Sequence, residues 1–239
     1  LRPLLDLKQQ EGREMFRHIG HDTAKLVKKY QGSLSGEHGD GRVRAEFIPL
    51  MIGDHNYALL KRIKSVWDPN YMFNPGKIVD APPMDVSLRY EAGQTTREFD
   101  TVFDFSETDG LLRLAEKCNG SGDCRKTHLS GGTMCPSYMA TRNEKDTTRA
   151  RANILREVLT RSEEENPFAH KEIYEVMDLC LSCKGCASEC PSNVNVATLK
   201  AEFLHQYYKK HGIPFRARAI ANIGKLNQLG TIVPGISNF

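Results

Sequence analysis

Seven cysteines are the residues of this chain whose spacing most plainly implies chemistry, and all of them lie between residues 118 and 190. Four sit in Cys180-Leu181-Ser182-Cys183-Lys184-Gly185-Cys186-Ala187-Ser188-Glu189-Cys190-Pro191, which is C-x2-C-x2-C-x3-C-P. Thiolates at this spacing wrap three corners of an iron–sulfur cube. The fourth is displaced, and the proline turns the chain so that this cysteine reaches a second cube. Paired C-x2-C units also hold zinc, but zinc sites rarely add a third and fourth cysteine at this spacing followed by proline. The first group, Cys118, Cys124 and Cys135-Pro136, reads as the same run altered. Ser121 takes the second place, and Arg125 to Met134 form an insertion before the last cysteine. The plainer alternative for these three is buried thiols.

Crossed pairing assigns Cys135, Cys180, Cys183 and Cys186 to one 4Fe–4S cluster. Cys118, Cys124 and Cys190 are left for a second, one ligand short. Three outcomes are open there, a 4Fe–4S cluster completed by a residue such as Ser121 or His128, a 3Fe–4S cluster, or no cluster, and an occupied site is the expectation. The arginines at 142, 149, 151 and 156 could pair with cluster charge, but a solvated helix face is the expected reading for them.

A second chemical signal lies upstream. Gly32-Ser33-Leu34-Ser35-Gly36-Glu37-His38-Gly39-Asp40-Gly41 is a glycine-rich loop able to bring backbone close to a ligand. Glu37 and His38 are adjacent on it, so one can hold a cation while the other faces a substrate. Asn74-Pro75-Gly76 is a turn signature, and Lys77 follows it.

The elements that position these residues are mostly helical. Leu1 to Leu7 reads as a short buried strand. Glu11 to Tyr30 has helical apolar spacing and is expected to stop at Gly32. Asp54 to Trp67 is a second helix, with Tyr57, Leu60, Ile63 and Trp67 on one side and Asp68-Pro69-Asn70 ending it. Val86 to Tyr90 and Glu98 to Phe105 are expected as short strands. Beyond Gly110 the pattern is helical: Thr147 to Arg161, with Ala150, Ile154, Leu155, Val158 and Leu159 on one face, then His170 to Leu179, Val196 to Lys210, and a weaker Phe215 to Leu229. The expected class is α+β, with a mainly α-helical second part. The expected divisions are 1–79, a connector at 80–108, a cysteine domain at 109–212, and the start of a further segment at 213–239.

Bulk composition excludes little but is consistent. Hydrophobic residues make up 39% and charged residues 26% of 239, as in ordinary globular proteins. A net charge of +3 gives no reason to expect nucleic acid. No apolar run approaches the roughly 20 residues that span a bilayer. An odd cysteine count argues against a disulfide framework, and metal thiolates suit a reducing compartment. The cytoplasm, or the periphery of the inner membrane, is the expected location. The first residue is Leu1, and the expectation is a piece of a longer polypeptide.

The cysteine region, over about residues 110 to 211, resembles the α-helical ferredoxin modules of the succinate dehydrogenase and glycolate oxidase iron–sulfur subunits. Residues 1–79, through Ser35-Gly36-Glu37-His38-Gly39-Asp40-Gly41 and Asp68-Pro69…Phe73-Asn74-Pro75-Gly76-Lys77, resemble the C-terminal domain of FAD-linked oxidases. That family includes D-lactate, glycolate and D-2-hydroxyglutarate dehydrogenases. Many members carry Ile or Val where this chain has Asp40, which alters the polarity of the pocket. The resemblance implies FAD bound mostly by a preceding domain, His38 as the catalytic base, Glu37 as a divalent-metal ligand, Arg2 toward the substrate carboxylate, and Asn74 and Lys77 near the flavin edge. It implies an enzyme that oxidises a small D-2-hydroxy acid and passes electrons through its clusters to a quinone or a protein. This chain alone is expected to be inactive. Two other classes stay open: an electron-transfer module without substrate chemistry, and a zinc-stabilised interaction protein.

Overall fold

The protein is described here by a computed structural model covering residues 3–232. The chain divides between Thr95 and Thr96 into two compact units. That division falls inside the segment read as a connector.

In the first unit, α1 (Gln10–Lys29) carries its polar stop in an unexpected residue. Gln31 takes the left-handed conformation at φ 54°, its N–H bonds the Lys28 carbonyl at 3.0 Å, and the Gly32 N–H bonds the Val27 carbonyl at 2.9 Å. These two bonds close off the last free carbonyls of the helix. The stop expected at Gly32 therefore occurs one residue earlier. Arg17 ties α1 to Glu46 at 3.0 Å and Asp85 at 2.8 Å. Ala24, Phe47 and Met84 form a small core. Gly20 permits it, because a Cβ there would lie 2.7 Å from the Met84 sulfur. The short α2 (Ile48–Ile52) leads into α3 (Asp54–Trp67), which buries none of its residues. Ile63 is 57% and Trp67 80% exposed, so the apolar side read from the sequence is largely uncovered.

No β-strand occurs among the described residues, which corrects the β part of the expected class for them. Of Leu1 to Leu7, the first two residues lie outside the described range. The rest is irregular, and Leu4 has no buried face to pack. Val86 to Tyr90 is broken by a left-handed Ser87. Glu98 to Phe105 is extended, but side chains rather than a neighbouring strand satisfy its backbone. The Glu202 carboxylate accepts the N–H groups of Val102 and Phe103 at 3.0 and 3.1 Å, and the Gln206 amide donates to the Asp100 carbonyl at 2.9 Å. Buried backbone polar groups need partners of some kind, and here a helix supplies them.

The second unit is built on α4 (Leu111–Glu116), α5 (Pro136–Thr141), α6 (Thr148–Arg161), α7 (Lys171–Asp178), α8 (Gly185–Glu189) and α9 (Val196–His211). Leu112, Leu155, Leu159, Ile173, Met177, Leu199 and Phe203 form its core. The Thr147 hydroxyl caps α6 by accepting the Ala150 N–H at 3.0 Å, and Asn195 caps α9. The buried face of α6 is Thr148, Arg151, Ala152, Leu155 and Leu159, rotated from the face read by hydrophobicity so that an arginine lies inside it. The weak C-terminal helix is two, α10 (Phe215–Ala221) and α11 (Ile223–Gly230), with no buried residue in either. No helix among the described residues is long and apolar enough to cross a membrane.

Candidate functional site

The second cysteine group occupies the turn from α7 through α8. Ser182 and Lys184, the residues between its cysteines, take left-handed φ values of 53° and 62°, which curls the chain back on itself. Cys135 precedes α5 in the same conformation at φ 60°, with Pro136 at the first helical position. These turns bring Cys135, Cys180, Cys183 and Cys186 to the wall of one cavity, together with Thr148 and Arg151. The four thiols grouped by crossed pairing thus share one space. Among the described residues, no three His, Cys, Asp or Glu side chains form a site ready for a single metal ion.

The first turn of α6 serves two cysteines of the first group, one from each set of the crossed pairing. The Thr148 N–H donates to Cys135 Sγ at 3.0 Å, with the Thr148 hydroxyl 2.9 Å from the same sulfur. The next N–H, of Arg149, donates to Cys124 Sγ at 3.4 Å. The backbone N–H groups of Val196 and Ala197, at the start of α9, act on Cys186 in the same direction. Such donors favour thiolate. Burial acts against them and is stronger: it pushes Cys135 up to about 11, and raises Cys124 and Cys186 as well. Buried sulfurs with N–H donors already aimed at them fit an iron–sulfur cluster, whose iron supplies the positive charge that burial otherwise denies a thiolate.

Cys118 and Cys124 are buried and within electrostatic reach of one another. Cys190 is half-buried at the end of α8. Ser121 and His128 are exposed, and His128 Nδ1 lies 3.0 Å from the Arg142 guanidinium. Of the other arginines, Arg149 bonds Glu144, Arg156 bonds Asn153, and Arg151 alone lines the cysteine cavity.

Sequence reasoning missed Glu189. Its carboxylate accepts the Thr133 N–H and hydroxyl, both at 2.6 Å, and the Met134 N–H at 3.2 Å. It thereby fastens the insertion before Cys135 to the helix that ends at Cys190. Gly132 makes room, since a Cβ there would lie 2.5 Å from the Glu189 carboxylate. The signal available was a lone glutamate beside a cysteine, which identifies no partner.

In the first unit, Glu37 Oε1 and His38 Nε2 are 3.0 Å apart, and the two side chains are 83% and 76% exposed. Arg44 steadies their loop by donating to the Ser35 hydroxyl at 2.9 Å and the Gly39 carbonyl at 3.0 Å. Asn74 and Lys77 line a groove with Gly41, Lys64, Trp67 and Phe73. Glu37 and His38 are not part of its lining, and Arg2 lies outside the described residues. The turn carrying Asn74 is organised by Asp68, read from the sequence only as a helix terminator. Its carboxylate accepts the Lys64 amine at 2.5 Å and the N–H groups of Met72 and Phe73 at 2.8 and 2.9 Å. The Lys64 bond, followed by those N–H groups, holds Asp68 below the usual carboxylate range.

Comparison with known proteins falls on the same two units. Residues 1–78 match the family of FAD linked oxidases, C-terminal domain, and residues 117–195 match the 4Fe-4S dicluster domain. The chain joins an FAD-linked oxidase C-terminal domain to a 4Fe–4S dicluster domain. It is 30% identical to D-2-hydroxyglutarate dehydrogenase of Pseudomonas putida, over 100% of this chain and 26% of that protein. Its identity to D-2-hydroxyglutarate dehydrogenase of Escherichia coli is 28%, with the same coverage of both chains. A D-lactate dehydrogenase [cytochrome], mitochondrial, of Arabidopsis thaliana is 30% identical over 34% of this chain and 14% of its own length. The chain thus spans about a quarter of the curated relatives that it matches throughout. No solved structure matches it. The cysteine cavity lies within the stretch matched by the dicluster domain, and the Glu37–His38 loop within the oxidase domain.

Proposed function

We propose that this chain is part of a flavin- and iron–sulfur-dependent oxidoreductase that oxidises a D-2-hydroxy acid, with 2-hydroxyglutarate as the first substrate to test. The observation that carries the reading is the cavity walled by Cys135, Cys180, Cys183 and Cys186, downstream of an oxidase domain in one polypeptide. Cys118, Cys124 and Cys190 are the candidate ligands of a second cluster. FAD supplies a two-electron acceptor when bound, and the clusters carry electrons singly.

The chain's own residues would do the following. His38 takes the proton of the substrate hydroxyl at Nε2, the atom now facing Glu37. Glu37 turns to a divalent cation, which frees that nitrogen. Arg2 receives the substrate carboxylate, and Asn74 and Lys77 orient the flavin edge from their groove. Residues 1–79 and 109–212 are the working units, with 80–108 between them and 213–239 opening a further segment. Electrons leave for a quinone or a protein acceptor. Seven cysteines outside any disulfide suit a reducing compartment, either the cytoplasm or the periphery of the inner membrane.

The exposure of Glu37 and His38 favours one rival, an electron-transfer module whose first unit only docks a partner. Anaerobic purification of the complete protein tests the cluster reading. Iron and acid-labile sulfide are expected in comparable amounts. Stoichiometric zinc without sulfide would refute it.

A further inference from the structure

Arg151 is a buried cation that the chemistry described so far does not use. Its side chain is 2% exposed. Nε donates to the Val176 carbonyl at 3.0 Å, and one terminal nitrogen donates to the Ser137 hydroxyl at 3.1 Å. Both partners are neutral. The carboxylate nearest to it, Asp146, stands 3.9 Å away and is itself buried. Asp146 Oδ1 has no hydrogen bond, while Oδ2 accepts the Thr141 hydroxyl at 2.6 Å. The ion pair is therefore loose. A buried charge held by a poor pair is costly, and an apolar side chain of similar size would be no worse for the fold.

The cavity explains the charge. Arg151 lines it beside Cys135, Cys180, Cys183 and Cys186, and Asp146 does not. A second cation approaches from α9. The half-buried Lys200 donates its amine to the Cys180 carbonyl at 2.6 Å and to the Asp178 carbonyl at 3.2 Å. Fixed positive charge thus meets this cysteine set from two helices. At the other group, the guanidinium of Arg149 is engaged by Glu144 at 2.5 and 2.9 Å, toward the surface.

We propose that Arg151, assisted by Lys200, sets the reduction potential of the cluster held by Cys135, Cys180, Cys183 and Cys186. The proposal rests on the cluster reading above. Reduction adds one electron, drawn from the reduced flavin, and forms or breaks no bond. The reduced cluster carries one more negative charge than the oxidised one. A nearby cation therefore favours the reduced state and raises the potential, and a nearby anion lowers it. Burial strengthens both effects, since screening by water is weak there. Arg151 acts on the cluster through space and is a positioning residue for charge, not a ligand.

The test is a dithionite titration of the complete protein, followed by electron paramagnetic resonance, with iron and sulfide measured in every variant. Arg151→Gln should shift the reduction equilibrium of this cluster at least tenfold toward the oxidised form, which is 59 mV for one electron. Arg151→Lys should keep most of the native value. Asp146→Asn should shift it the opposite way, and Lys200→Gln the same way as Arg151→Gln but less. If Arg151→Gln fails to fold, Asp146→Asn and Lys200→Gln decide the matter by their opposite signs. Loaded variants with unmoved potentials, or shifts of one common sign, would overturn the proposal. A native protein without iron would instead overturn the cluster reading beneath it.

Discussion

The two units keep their chemical groups in opposite states. Glu37 and His38 stand out in solvent on a glycine-rich loop, whereas Cys118, Cys124, Cys135 and Cys186 are buried in the core of the second unit. The cysteine site is built from within. α6 gives N–H donors to the sulfurs of Cys135 and Cys124, Glu189 fastens one cysteine loop to the other, and Arg151 adds charge. The first unit has a small core and an α3 whose apolar side is uncovered. The contrast teaches that one folding unit can gather four thiols around a single cavity, while the Glu37–His38 loop stays open to solvent.

The largest effect should come from the exposed group. In the complete enzyme, His38→Ala should cut turnover by roughly 10²–10⁴, the usual contribution of a positioned base. Its iron content should be unchanged. Equal loss of iron would mean that the two units do not divide the work as the contrast implies, and full turnover would favour the docking rival.

Next is the core of the second unit. Leu155 is 1% exposed, and Leu155→Ala should cost about 2–5 kcal/mol of stability, as buried leucines do. Chemical denaturation of the second unit would read it. Trp67→Ala on α3 should cost within about 0.5 kcal/mol in this chain, as surface changes do. A large loss at Trp67 would break the comparison.

A smaller effect separates the units by pH. Asp68 is held below the carboxylate range mainly by Lys64. A depressed carboxylate contributes fully above its unfolded value, and the contribution is lost as pH falls through the lowered one. The protection of the Met72 and Phe73 N–H groups, which Asp68 accepts, measured against their intrinsic exchange rates, should therefore fall on acidification below the ordinary carboxylate range. Asp68→Asn should show the lowered protection at neutral pH. Protection that persists in both cases would assign the turn to other contacts.

Much of this was legible in residue order. The spacing from Cys180 to Cys186 and the Cys-Pro ending at 135 marked the thiols that line one cavity. The helices read over 54–67 and 147–161 occur within a residue of those bounds. The extended segment at 98–105 was read as a strand because β-branched and aromatic residues alternate there. Its partners, Glu202 and Gln206, lie about a hundred residues away, so no local pattern could show that a helix would replace a strand ladder.

What the sequence determined by itself is local. Thiol spacing, glycine at positions needing left-handed backbone, and helix caps act over a few residues, where covalent geometry limits the choices. What tertiary structure decided is long-range. It placed Glu189 against Thr133 and Met134, aimed the first N–H groups of α6 at two different cysteines, and turned α6 so that Arg151 is fully buried while Ile154 is only partly so. Hydrophobicity ranks an arginine as exposed. Only the assembled interior, which brings the Val176 carbonyl, the Ser137 hydroxyl and Asp146 to its guanidinium, gives a buried arginine any partners.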